Sequence, residues 1–292
     1  MITADMTIAS VMKLDPEVAP VFMSYGMQII ASFMMLAMMF MMAPRALVSV
    51  NRINEVLDTR ELITEGSGVG KTAETGTVEF RNVSFCYPDG HENVLENISF
   101  KANKGDTVAF IGATGCGKSS VVNLVSRFYD ATDGHVLVDG HDVREYTKNE
   151  LAKKIGYVSQ KAVLFSGDIR SNVNFGDNNA DDAAVEKAIE IAQSSSFVEA
   201  QKGGIGGRVA QNGTNFSGGQ KQRLSIARAV AREAEIYIFD DTFSALDYKT
   251  DRELRKALKT EMKDATCLIV AQRIGTIMDA DLILVLDNGR VV

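Results

Sequence analysis

Gly112-Ala113-Thr114-Gly115-Cys116-Gly117-Lys118-Ser119 lies between two stretches of different periodicity. Upstream, Thr107 to Ile111 is an apolar run that reads as a strand. Downstream, Val121, Val122, Leu124, Val125 and Phe128 recur at helical spacing. A strand, a glycine-rich turn closing on Lys-Ser, and a helix form the context in which the pattern G-x-x-x-x-G-K-[ST] holds phosphate. The glycines let successive backbone N–H groups curl around phosphate oxygens, and the helix N-terminus adds a favourable dipole. Lys118 supplies a point charge for terminal phosphates, and the Ser119 hydroxyl supplies a ligand for Mg²⁺. With Ser120, these residues form the candidate cradle for a nucleotide.

A second motif narrows the choice among nucleotide machines. Phe216-Ser217-Gly218-Gly219-Gln220-Lys221-Gln222-Arg223 opens a run with apolar Leu224, Ile226, Ala227, Ala229 and Val230. Ser217 is a candidate N-cap, and the two glycines allow close approach of backbone to an anion. This stretch resembles the signature motif of ATP-binding cassette (ABC) proteins. Further elements follow in that family's order. Ile236-Tyr237-Ile238-Phe239-Asp240-Asp241 is a buried-strand pattern ending in two carboxylates, and Ser244-Ala245-Leu246-Asp247 resembles the D-loop. Gln160, after the short strand Ile155 to Val158, resembles the Q-loop glutamine, and Tyr87 sits where the family has an adenine-stacking aromatic. The resemblance covers residues 76–292. It implies a P-loop NTPase cassette of α/β class, with a mainly parallel sheet core, a β subdomain and a helical subdomain over residues 161–231. It also implies ATP and Mg²⁺ as cofactors, with Ser119, Gln160 and Asp240 around the metal. Within the helical part, Phe165 to Val173 resembles the surface that meets the coupling helices of a membrane domain.

Two positions depart from the family's hydrolytic pattern. After Asp240 the family has Glu as general base, and this chain has Asp241. In Ile269-Val270-Ala271-Gln272-Arg273, which resembles the switch segment, Gln272 stands where His is expected. Asp is one methylene shorter than Glu, and a displacement of about 1 Å can cost on the order of 10²-fold in rate. Gln donates a hydrogen bond but neither carries a proton nor titrates. With Lys118, Asp241 and Gln272 taken as the catalytic set, the expectation is retained ATP binding with impaired hydrolysis. Cassettes of this family dimerise head to tail, so Ser217, Gly218, Gly219 and Gln220 would serve a partner's site. The combination resembles the degenerate subunit of a heterodimeric bacterial exporter of multidrug or lipid type. The alternatives are a regulatory nucleotide-binding module without useful ATPase activity, and a non-transport ABC ATPase.

Composition supports a membrane setting. Val18 to Pro44 contains no charged residue, and eleven of the 13 methionines precede Ala43. Such a stretch spans a hydrocarbon core of about 30 Å with some tilt. It is too long for a typical signal h-region and lacks a basic n-region. Arg45 and Arg52 follow it, whereas Asp5, Asp15, Glu17 and one Lys13 precede it. The positive-inside rule therefore puts the C-terminal end, and the cassette, in the cytoplasm. The expected organisation is a flank over 1–17, a span over 18–44, a cytoplasmic helix (45–64) and linker up to 75, and the cassette over 76–292. Exporters of this family carry six spans and a helical tail, so the resemblance implies a truncated chain. The implied partners are a second exporter subunit, membrane lipid, and an exported small molecule, drug or lipid. A net charge of −7 argues against a nucleic-acid groove. Cys86, Cys116 and Cys267 have no metal-ligand spacing and fit a reducing compartment. Alkylation of Cys116, inside the phosphate loop, should block nucleotide.

Overall fold

A computed structural model describes residues 6–14, 16–59, 61–176 and 181–292. Two units are resolved, Met1–Glu61 and Leu62–Val292. In the first, the short helix Ile8–Leu14 and the turn Pro16–Val18 precede one helix of 39 residues, Ala19–Leu57. At about 1.5 Å per residue this helix is long enough to cross a bilayer, and its apolar composition meets the same requirement. None of its residues is buried. A core helix of a soluble domain would hide at least one stripe. A span over 18–44 and a separate helix over 45–64 are expected from polarity. The backbone is instead continuous through Pro44 and ends at Leu57, where the Asp58 N–H returns to the Asn54 carbonyl at 2.7 Å. The onset of charge at Arg45 changes the side chains' solvent preference, not the backbone ladder. Asp5 and Asp15 of the acidic flank lie outside the described residues.

The second unit is organised by a six-stranded sheet. Its order is Arg290–Val291, Leu282–Asp287, Thr107–Gly112, Thr266–Val270, Ile236–Asp240, Ile155–Val158. All neighbours are parallel except the hairpin of Leu282–Asp287 with Arg290–Val291. Side chains alternate across it. Val108, Phe110, Ile236, Ile238, Leu268 and Val270 enter one core cluster, whereas Ala109, Tyr237, Phe239 and Ile269 enter the other. A sheet covered on both faces needs near-continuous apolar strands, which is how these runs read. Leu282–Asp287 departs from that expectation. Leu284 and Leu286 are buried, but Ile283 and Val285 remain 42% and 41% exposed, so one face of this strand is uncovered.

A four-stranded antiparallel sheet, in the order Leu95–Ala102, Val78–Phe85, Asp133–Val138, His141–Asp142, contributes to the same cluster as Phe110. Asp133-Gly134 reads as a turn but opens a strand. Gly134 is needed there because a Cβ would stand 2.4 Å from the Asn82 carbonyl oxygen, and its φ is +79°. Between residues 161 and 231 the helices Ile169–Val173, Asp182–Ile191, Ser195–Glu199 and Gly218–Val230 form the helical part.

The two sheets are joined by Lys154, which leads into Ile155–Val158 and reaches Asp139 at the end of Asp133–Val138. Its Nζ lies 2.7 Å from the fully buried Asp139 and 2.9 Å from Glu235, and Asp139 also accepts from the Thr77 N–H. Burial works against the ammonium charge, but the bonds to Asp139 and Glu235 outweigh it and raise the lysine pKa above its ordinary 10.5. A raised pKa gives a contribution that is full below the ordinary value and lost as pH climbs through the folded one. Lys154→Met leaves Asp139 uncompensated and should cost about 3 kcal/mol at neutral pH. Urea titrations of both proteins measure this, and the difference should shrink at strongly alkaline pH.

Candidate functional site

The phosphate loop, Gln160, Asp241 and Gln272 all follow the C-terminal ends of parallel strands. The pairings Val270 with Phe110, Val270 with Asp240, and Val158 with Phe239 bring those ends level. Loops leaving such an edge form the usual ligand crevice of an α/β sheet. Here they enclose a cavity of about 410 Å³, lined by Tyr87, Thr114, Gly115, Gly117, Lys118, Ser119, Ser120, Gln160, Asp241 and Gln272, together with Val94 and Val270. Ser217, Gly218, Gly219 and Gln220 do not line it.

The loop geometry follows from its sequence. Gly117 is the N-cap of the helix Lys118–Val125, at φ +98°. A Cβ there would stand 2.6 Å from Leu95 Cδ2 and 3.0 Å from the Val94 carbonyl oxygen. Lys118 folds back over the loop, donating to the Gly112 carbonyl at 2.8 Å and the Ala113 carbonyl at 2.7 Å. Its Nζ is 3.6 Å from Cys116 Sγ, which is buried beneath it. The ammonium is therefore stationed on the loop at the wall of the cavity, where it would meet an entering phosphate.

Beside the loop is a set of hard oxygens. Ser119 Oγ donates to Asp240 Oδ1 at 2.8 Å, and Tyr157 Oη donates to Oδ2 at 3.4 Å. Burial pushes the Asp240 carboxyl above its ordinary value, the bonds from Ser119 and Tyr157 oppose this, and the neighbouring Asp241 charge adds to it. A divalent cation would relieve that penalty. No cluster of three or more His, Cys, Asp or Glu occurs among the described residues. One carboxylate, a hydroxyl and a carboxamide oxygen suit Mg²⁺, which takes few protein ligands and completes its shell with water and phosphate oxygens. The residues present thus fit Mg²⁺ and a nucleoside triphosphate. Bound there, the pair would supply a phosphoryl group polarised by the metal.

Asp241 has a left-handed backbone, φ +45° and ψ +30°. Its N–H donates to the Val270 carbonyl at 3.0 Å, and its own carbonyl accepts from Ser244 Oγ at 2.8 Å. Its Oδ2 accepts from Gln160 Nε2 at 3.1 Å and from Gln272 Nε2 at 2.7 Å. Tyr87 stands edge-on to Phe85 and Tyr129, with centroids 4.7 and 5.0 Å away, and its hydroxyl is 2.9 Å from Ser120 Oγ. Ser217 N-caps the helix Gly218–Val230 in a reciprocal capping box with Gln220. An added Cβ at Gly218 would meet nothing within 4 Å, so this helix start is open to an outside ligand.

Two contributors lie outside the motifs read from the sequence, and a third, Gln222, lies inside the quoted signature stretch with no role assigned to it there. Tyr157 bonds Asp240 from a strand that reads as plain core. Val94 lines the cavity from the approach to a strand. Gln222, only 2% exposed, donates from Nε2 to the Ser159 carbonyl at 3.1 Å and so steadies the segment carrying Gln160. The one available signal was Gln222's place four residues before Ile226 on an otherwise apolar helix face.

A sequence model for the family described as ABC transporter matches residues 95–244. The chain is similar to an uncharacterized ABC transporter ATP-binding protein of Mycobacterium tuberculosis, 43% identical over 276 residues, covering 93% of this chain and 47% of that protein. It is also similar to an ATP-dependent lipid A-core flippase of Xanthomonas euvesicatoria, 40% identical over 252 residues, covering 86% of this chain and 43% of the flippase. Among solved structures, a bacterial Atm1-family ABC exporter with ATP bound superposes with a TM-score of 0.81 at 31% identity, covering 91% of this chain and 46% of that one. The chain thus spans about half the length of the curated relatives it matches.

Lys118→Ala should weaken binding of ATP strongly, because a charge-assisted phosphate contact is lost from a partly dry site. Tyr87→Ala should cost about 1–3 kcal/mol if its ring stacks on a base, and Tyr87→Phe much less. Titration with a fluorescent ATP analogue reads both; equal affinities throughout would remove the nucleotide from this cavity.

Proposed function

Because the chain belongs to the ABC transporter family, we propose that its exporter-type cassette binds Mg-ATP at a site that hydrolyses it slowly, and that a second exporter subunit completes the working pump. The observation that carries this reading is the make-up of one cavity and its wall. Lys118 and Ser119, with Asp240 bonded behind Ser119, supply an intact set for phosphate and metal, while Asp241 and Gln272 stand where a longer carboxylate and a histidine would act. Ground-state binding uses the first group, and proton transfer and water positioning in the transition state use the second. A carboxylate whose Oδ2 already accepts two amide N–H groups is poorly placed to take a proton from water.

The partner's role rests on the signature segment. Ser217 and Gly218 are exposed at a helix start, and Ser217 to Gln220 do not line the chain's own cavity. Such a start suits an anion presented by another subunit. A membrane-domain contact is supported near Phe165 and Phe175, which are exposed, stack at 4.3 Å, and lie under Arg228 at 5.5 and 5.4 Å. The exposed apolar helix Ala19–Leu57 supports a cell-membrane location, and Arg45 and Arg52 after its apolar stretch support the cytoplasmic side for the cassette. The exported substrate would be a small molecule, drug or lipid.

The purified chain should bind Mg-ATP yet turn it over slowly. Asp241→Glu combined with Gln272→His should raise kcat far more than it changes ATP affinity. In a complex with the second subunit, Ser217→Ala should harm turnover more than Asp241→Ala. Wild-type turnover equal to that of the double variant would replace this reading with an ordinary homodimeric ATPase. The intact chain should require detergent, and deletion of residues 1–61 should release a soluble cassette. Monodisperse behaviour of the intact chain without detergent would contradict the membrane assignment.

A further inference from the structure

Two carboxamides converge on one oxygen atom. Gln160, after the strand Ile155–Val158, and Gln272, after Thr266–Val270, both donate from Nε2 to Asp241 Oδ2, at 3.1 and 2.7 Å. Asp241 itself follows Ile236–Asp240, between those strands in the sheet. Among the described residues its carboxylate forms no ion pair. Lys118, which lines the same cavity, is committed to the Gly112 and Ala113 carbonyls, and Asp240 is engaged by Ser119 and Tyr157.

A carboxamide has two ends of similar shape and opposite polarity, and only its surroundings decide which end faces which way. An ionised carboxylate accepts only, so both glutamines must turn their nitrogens toward Asp241 and their carbonyl oxygens away from it. The backbone of Asp241 is held from both sides, by Val270 and by Ser244, in a left-handed conformation that fixes where the side chain starts. We propose that Asp241 is a positioning residue in this chain: its Oδ2 is the shared acceptor that sets the orientation of the Gln160 and Gln272 carboxamides and ties three loops together. This rests on the reading of the cavity as a Mg-nucleotide site. It changes the meaning of the two departures. Asp241 and Gln272 form a matched pair, in which a short carboxylate and a neutral amide replace a base and a histidine. Gln160 keeps its carbonyl end free as an oxygen ligand, and Gln272 keeps a second N–H for a phosphate.

The test uses the full chain in detergent and two readouts. The first is the affinity of a fluorescent ATP analogue with Mg²⁺ and with EDTA. The second is thermal unfolding without nucleotide. Asp241→Ala should lose about 10–100-fold of the affinity that Mg²⁺ confers, as loss of an orienting partner does elsewhere. Asp241→Asn, which still offers an oxygen acceptor at the same reach, should keep the wild-type magnesium dependence. Without nucleotide, Asp241→Ala and Gln272→Leu should each lower Tm, and the double variant should fall no further than the worse single one, because the residues share one interaction. Wild-type magnesium dependence in Asp241→Ala, equal damage from Asn and Ala, or additive Tm shifts would each overturn the proposal. A wild-type chain that binds the analogue under neither condition overturns the nucleotide reading instead, and the nucleotide-free cycle then decides the orientation by itself.

Discussion

Parallel pairing of Thr107–Gly112, Thr266–Val270 and Ile236–Asp240 is the constraint on which the site depends. The three strands run in one direction and end level, so the residues just beyond them must share one edge. Each strand is apolar on both faces, because one face is covered by helices and the other by the antiparallel sheet's cluster. That burial makes register costly to slip, since a shift of one residue would exchange the two faces. The alignment of Lys118, Asp240, Asp241 and Gln272 is therefore a consequence of core packing. The loops contribute direction and hydrogen bonds, but the sheet determines that they meet.

Much of this was legible from residue order. The phosphate loop reads directly because its strand, glycines and helix are contiguous, and Gly117 sits where the fold leaves no room for a side chain. The strands through Ile238 and Leu268 read from unbroken apolar runs. The uncovered face of Leu282–Asp287 did not, because Ile283 and Val285 are as apolar as buried neighbours and a sequence does not say what lies over a strand. The continuity of Ala19–Leu57 through Pro44 was hidden for a similar reason. Polarity reports the surroundings of side chains, whereas helix length depends on backbone bonds. The convergence of Gln160 and Gln272 on Asp241 joins residues separated by 81 and 31 positions. No local pattern signals such a contact, although each glutamine stands out as a polar residue after an apolar strand.

Charge within the cassette is managed in two different ways. Asp139 is fully buried and met by a lysine, so its cost is offset by a cation from a neighbouring element. Asp241 is buried without an ion pair among the described residues and is met by amides instead. Neutral donors hold a carboxylate in place without adding a positive charge to the cavity. Such an arrangement leaves the local field to Lys118 and to whatever the site receives.

The helix Gly218–Val230 has two attachments that point to different places. Its start carries Ser217 and the open Gly218, and one turn later Gln222 grips the Ser159 carbonyl next to Gln160. An α-helix is stiff over one turn, about 5.4 Å of axial length. A displacement of the start of this helix would therefore be passed to the segment that holds Gln160 through one hydrogen bond and one helical turn. A push received at a surface facing outward would then arrive inside the chain's own cavity, with residue 222 as the load arm of a short lever.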